Sequence, residues 1–223
     1  IKLRESRWSD GKSVVAADFA FAIRRALDPA LAAPYATALY DIEGAEAYNT
    51  ALGTKDAPKQ PTGAELARLR DGLGIRTPDD RTLQVRLRSP RPTFAQMMAL
   101  WVSWPLRQDV IAQHGERWTE PPNYLGNGPW VLATWEHRSR MEFVPNPNYV
   151  GEKPKLDRLV LVQQADANQA FLAYKNGELD AVGVPDAAVK STEADPVLSK
   201  EGRRFAELAV FGFQFNMQVE PFA

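Results

Sequence analysis

The sequence has no cysteine. That removes disulfides, thiol nucleophiles and thiolate-held metals together, although it leaves the compartment open. Histidine is nearly as scarce: only His114 and His137 occur, and neither has the i, i+4 partner or glutamate spacing of a zinc-binding helix. Both read as structural or solvated, His114 at a helix end and His137 in a hairpin turn. No run of 18 apolar residues occurs, so no membrane-spanning helix is indicated. Charge of one sign is lacking too, since 27 Lys and Arg balance 28 Asp and Glu to a formal net charge of -1. No bulk electrostatic attraction to nucleic acid or anionic lipid is thereby indicated.

Catalytic signatures are also missing. Gly11-Lys12-Ser13 copies the end of a phosphate loop, but Ser6 stands where the first glycine is required. No serine lies in a G-x-S-x-G elbow. Asp79-Asp80 precedes Arg81-Thr82 as an Asx turn would, and adjacency in sequence does not place two acids across a cleft. Arg68, Arg70, Arg86, Arg88 and Arg91 alternate with acids and leucines rather than exposed aromatics, as on a solvated face. The expectation is therefore no catalytic residue, no metal site and no cofactor.

What is present is ordinary in bulk, 44% hydrophobic and 25% charged, as in soluble globular chains. With 223 residues it can bury one sizeable core or two small ones. Residues 1–4 alternate as a short strand, and Ser9-Asp10-Gly11-Lys12 forms a turn. A helix follows over about 16–27, with Phe19, Ala22, Ile23, Ala26 and Leu27 on one face. Arg24 and Arg25 sit where its dipole favours cations, and Asp28-Pro29 ends it. A polar loop spans 52–63, and Leu66 and Leu69 mark a short helix. Leu83, Val85 and Leu87 face inward along a strand whose Gln84, Arg86 and Arg88 face out. A helix near 93–100 leads to the corner W-V-S-W-P.

Residues 123–150 read as a tight turn, a hairpin and a Pro-Asn-Pro-Asn stop. Leu156–Val162 is almost continuously apolar, as a strand buried on both faces would be. A helix ending at Gly177 and a strand at 179–184 complete a βαβ pattern, so the fold class is α/β with a mixed, partly parallel sheet. A boundary is expected at 105–122, where Pro105, Gly115, Pro121 and Pro122 cluster. Both ends read as interruptions within a longer chain, with any targeting segment outside it.

Several blocks occur in a telling order: "LRESRWSDGKSVVAADFAFAIRRALDP", "APYATAL", "TPDDRTLQVRLRSPRPTFAQMMA", "GERWTEP", "GNGPWVLATWEHRSRMEFVPNPNYV", "AYKNGELDAV" and "FGFQFNMQVEPF". This resembles the extracytoplasmic oligopeptide/dipeptide substrate-binding proteins of ABC importers, over essentially the whole chain. The resemblance implies a periplasmic-binding-protein type II-like lobe with an extra α+β subdomain, here as a partial chain. Residues 1–107 would be the extra subdomain, 108–207 part of the first lobe, and 208–223 the hinge strand toward a second lobe. It further implies a non-catalytic, monomeric protein, periplasmic or otherwise extracytoplasmic, with a peptide ligand and ABC permease subunits as partners. Nickel chelates, murein peptide or oligosaccharide are alternative ligands in the same fold. A hydrolase using cleft carboxylates is a remote alternative.

By the same resemblance, Tyr35 of "APYATAL" walls the peptide pocket. Gly183, Val184 and Pro185 present backbone to the ligand, although small apolar residues stand where the family usually has polar or aromatic ones. Leu208, Ala209, Val210, Phe211 and Gly212 form the strand that pairs with an extended peptide by strand addition. The Gly126-Asn127-Gly128-Pro129 turn and its hairpin are implied to brace the lobe. Val15 departs from the family's usual helix-capping Thr, at a cost of about 1 kcal/mol, with Asp18 compensating through the dipole.

Overall fold

The computed structural model describes residues 1–206, 212, 213, 215–218 and 220. The chain divides into two compact units, 1–163 and 164–223; the expected boundary at 105–122 falls inside the first.

In the first unit, α1 (Ala16–Ala26) buries Ala16, Ala20, Ile23 and Ala26 along one stripe, the face that its 3.6-residue period aligns. The stripe meets α2 (Ala45–Asn49), a helical turn at Ala36–Leu39, and the antiparallel pair β1 (Ile75–Asp79) and β2 (Thr82–Val85). Ile23, Leu27, Leu39, Ile42, Leu73, Ile75 and Leu83 are the largest apolar side chains wholly enclosed there. Asp79 makes the β1–β2 turn, accepting from Arg81 N at 2.9 Å and from Thr82 Oγ1. Inward Leu83 and outward Gln84 and Arg86 follow the predicted alternation. α3 (Gly63–Asp71) lies between α2 and β1 in sequence and buries none of its residues fully.

The strand expected at 1–4 reduces to a single bridge, Lys2 to Thr82. Ile1 and Leu83 exchange backbone hydrogen bonds at 2.9 and 3.0 Å, and Leu3 N donates to Arg81 O at 2.8 Å. The Asp79–Arg81 turn consumes the rest of the β2 edge, so pairing stops. β1 itself was not foreseen, because Pro78 and its exposed polar residues mask it.

The interleaved arginines face acids as their pattern suggested. Arg86 pairs with Glu43, Arg88 with Glu46 at 2.8 Å, and Arg91 with Asp41 at 2.8 Å. After α4 (Phe94–Met97), a helical turn at Trp101–Ser103 makes the corner, and α5 (Gln108–His114) follows.

β3 (Trp130–Glu136), β4 (Arg140–Pro145) and β5 (Leu159–Val162) form an antiparallel sheet in that order. The register pairs Trp130 with Pro145 and Glu136 with Arg140, slipping between Leu132 and Thr134. Asn146, 0% exposed, locks the hairpin base: its N–H donates to Pro129 O and its Nδ2 to Gly128 O, both at 2.8 Å. Asn148 Nδ2 then reaches Ser9 O at 2.9 Å, and Ser9 N donates to Gly126 O at 2.8 Å. The turn and hairpin of 123–150 are thus tied to the Ser9–Gly11 turn, whose Gly11 takes φ +87°.

Two expectations are corrected here. Val160, Leu161 and Val162 are exposed rather than buried on both faces, because β5 pairs only with β4 among the described residues. The βαβ inference fails as well. Residues 179–184 carry no strand, and every strand pairing described is antiparallel. The continuous apolar pattern reported a demand for cover, and not the direction of a neighbouring strand.

The described residues of the second unit carry helices and no strand. α6 (Ala167–Lys175) is capped by Asp166, which accepts from Asn168 N and Gln169 N. It ends as read at Gly177, φ +77°, with Gly177 N on Tyr174 O and Glu178 N on Ala173 O. α7 (Val189–Ala194) and α8 (Leu198–Glu201) follow, joined through Asp195, which caps Val197 N and Leu198 N.

Candidate functional site

The first unit carries a tryptophan-lined cavity, and one of its tryptophans, Trp8, is held by a buried arginine. Arg107, 8% exposed, forks onto Asp109 through Nε at 2.7 Å and Nη2 at 2.6 Å, and reaches Asp10 with Nη1 at 2.7 Å. Its hydrogen bonds hold the Asp109 carboxyl far below the usual carboxylate range. For Asp10, burial pushes upward, but hydrogen bonds from Arg107 and the Lys12 N–H prevail and lower it. The guanidinium lies 5.9 Å from the Trp8 ring centre, a cation–π geometry. Trp8 is fixed from the other side by its Nε1, which donates to Asp18 Oδ2 at 3.1 Å. Burial raises the Asp18 carboxyl, against the pull of the Val15 N–H and Trp8.

Beyond Trp8 the surface is apolar. Tyr35 is 52% exposed, Trp101 54% and Trp104 59%, with exposed Leu31 nearby in sequence. Tyr35 and Trp101 pack edge-to-face, their centroids 4.9 Å apart at 78°. That geometry sets the positive ring edge of one against the negative face of the other. Trp104 is anchored by Nε1 donating to Ala99 O at 3.1 Å. A cavity of about 240 Å³ opens here, walled by Trp8, Arg25, Trp101, Trp104, Trp118 and Tyr124. A second, of about 490 Å³, shares Trp104, Pro105 and Asn127 with it and extends to Leu3, Phe19 and Tyr149. Exposed aromatic patches beside a concavity mark binding surfaces.

Of the residues singled out in the sequence, Tyr35 lies on this ridge, at the start of the Ala36–Leu39 turn. Gly183 and Val184 are exposed in the second unit, and Pro185 begins the short turn at Asp186–Ala188. Leu208, Ala209, Val210 and Phe211 lie outside the described residues, and Gly212 is exposed. Sequence reading missed Arg25, Trp101, Trp104 and Trp118 as a group. The signal available was the W-x-x-W-P spacing, which sets two tryptophans around one helical turn. Among the described residues no three His, Cys, Asp or Glu gather as a metal site. His137 hydrogen-bonds Glu120 at 3.1 Å and stacks on Trp135, with 4.3 Å between centroids.

Residues 1–223 match the family model for the bacterial extracellular solute-binding proteins, family 5 middle region. The chain belongs to this family. The resemblance read from its ordered motifs therefore holds. As a family 5 chain it is 31% identical over 220 residues to the oligopeptide-binding protein OppA of Bacillus subtilis, covering 96% of this chain and 37% of that protein. It is 30% identical to the dipeptide-binding protein DppE of the same organism, covering 99% of this chain and 37% of DppE. The crystal structure of Haemophilus influenzae OppA in complex with RPPGFSPFR superposes with a TM-score of 0.73 at 30% identity, covering 87% of this chain and 36% of that one. The mixed α/β, periplasmic-binding-protein architecture expected of the family is thus the one found. The chain spans a little over a third of the length of these relatives.

Proposed function

We propose that this chain is part of the extracytoplasmic component of an ABC importer, which captures oligopeptides or dipeptides and delivers them to permease subunits without making or breaking a bond. The observation that carries the reading is Tyr35: in a family 5 chain whose relatives include named oligopeptide- and dipeptide-binding proteins, it stands exposed and held edge-on by Trp101. A rigid, amphipathic ring of this kind contributes contact area at low conformational cost. In this reading residues 1–107 are the extra subdomain, 108–207 belong to the first lobe, and 208–223 lead into the second.

Tyr35 packs against ligand side chains. The backbone of Gly183, Val184 and Pro185 and of residues 208–212 supplies hydrogen bonds to the peptide main chain. Backbone pairing suits a sequence-tolerant binder, since every peptide offers the same N–H and C=O groups. Calorimetric titration of the intact, longer protein with a mixed short-peptide panel tests the role of Tyr35. Tyr35→Ala should weaken peptide binding about tenfold with only a small loss of thermal stability, because half of Tyr35 is exposed and its described ring contact is with Trp101. Unchanged affinity would remove Tyr35 from the site.

A further inference from the structure

Arg25 is a cation that no acceptor in the described chain answers. It projects from the last turn of α1, its guanidinium 5.9 Å from the centre of the Trp118 ring. Among the described residues it has neither a carboxylate at ion-pair distance nor a hydrogen-bond acceptor. Neighbouring arginines are treated otherwise: Arg24 donates to Ile75 O at 3.2 Å, and Arg107 is forked onto acids. A partly exposed guanidinium set against a ring face keeps its N–H donors available to water or to a ligand.

The cavity it borders is built to one pattern. The indole N–H groups of Trp8 and Trp104 are committed to Asp18 and to Ala99 O, which leaves the apolar ring atoms of these residues to line the cavity. Among the described residues no Asp or Glu lines it. Tyr124 lines it too, and its hydroxyl has no hydrogen-bond partner among the described residues. The lining thus sets one charged donor, Arg25, and the Tyr124 hydroxyl among aromatic walls, with Asn127 the amide beside them. A volume of about 240 Å³ falls below the roughly 300–1,000 Å³ of pockets for drug-sized ligands. It suits one ring on a short chain.

We propose that this cavity binds an aromatic or branched aliphatic group bearing a carboxylate, with the apolar body between Trp8, Trp104 and Trp118 and the carboxylate on Arg25 and Tyr124. A free arylalkanoate and the C-terminal residue of a hydrophobic peptide share this chemistry. The site needs neither residues 183–185 nor 208–212, so it stands or falls separately from the peptide-pairing role given to them.

The test is calorimetric titration of the 223-residue chain with 3-phenylpropionate, 3-phenylpropionamide and N-acetylphenylalanine. The acid should bind saturably, and its amide at least about tenfold more weakly, because a charge-assisted hydrogen bond is lost. Arg25→Gln should weaken the acid by a similar factor. Arg117→Gln, an exposed arginine that does not line the cavity, should leave it unchanged. Tighter binding of N-acetylphenylalanine than of the free acid assigns the seat to a peptide terminus, and the reverse order to a free arylalkanoate. Equal affinity for acid and amide, an unaffected Arg25→Gln variant, or no saturation would each overturn the proposal. The acid–amide comparison uses the unaltered chain, so it does not depend on the variant folding.

Discussion

Val15 holds the N-cap of α1 with the extended backbone that a cap requires, φ -119° and ψ 164°, but it brings no oxygen. Asp18 supplies one arm of a capping box, its Oδ2 accepting from Val15 N at 2.9 Å, while the reciprocal arm has no acceptor. Val15→Thr should restore it and raise stability by about 1 kcal/mol, seen as a higher urea midpoint at unchanged slope. A lower midpoint would mean that the valine's packing outweighs the cap. Asp18 also gives stability a pH dependence. Its folded pKa is raised above 3.8 by burial, so the native state holds the proton more tightly than the unfolded chain. That contribution is present at low pH and is lost as pH rises from 3.8 through the raised folded value. Asp109 works the other way: with its pKa depressed by the Arg107 fork, its contribution is present above 3.8 and is lost as pH falls. Asp18→Asn should therefore gain on the parent as pH rises through the Asp18 window, in urea midpoints taken across that range. A constant gap would contradict the assignment.

At the scale of elements, α3 depends on its cap more than on packing. None of its residues is fully buried, while Thr62 Oγ1 accepts from Glu65 N at 3.2 Å and Glu65 Oε2 from Thr62 N at 2.7 Å. Thr62→Ala should cost about 1 kcal/mol, and amide exchange in α3 should quicken while Ile23 and Leu83 in the core stay protected. Exchange rising equally everywhere would show α3 to be part of the cooperative core. Elements with a clean period were legible: α1 through its apolar stripe, the β3–β4 hairpin through its turn residues, and the end of α6 through Gly177. β1 was not, because only Ile75 of its five residues is buried and no alternation survives. β5 was read as a strand but given the wrong surroundings, since Val160, Leu161 and Val162 advertise burial without naming what supplies it. The tryptophan-lined cavity was illegible for a different reason. Arg25, Trp104 and Trp118 come from a helix, a corner and a later turn, and no local pattern links them.

For the whole molecule, the order of motifs was the strongest information in the sequence, and it identified the family that the match over residues 1–223 establishes. By resemblance it singled out Tyr35 as a wall of the peptide pocket, and the structure has that ring exposed against Trp101. It could not rank ligands, because the chain accounts for 37% of the OppA and DppE relatives, and small apolar residues at 183–185 carry little side-chain specificity. The central claim is capture of peptides without chemistry. The measurement that meets it most directly is mass spectrometry of small molecules released by acid from the gently purified, full-length protein. The account predicts a ladder of intact, mixed short peptides. A single sugar, a metal chelate or a set of cleaved products would contradict it.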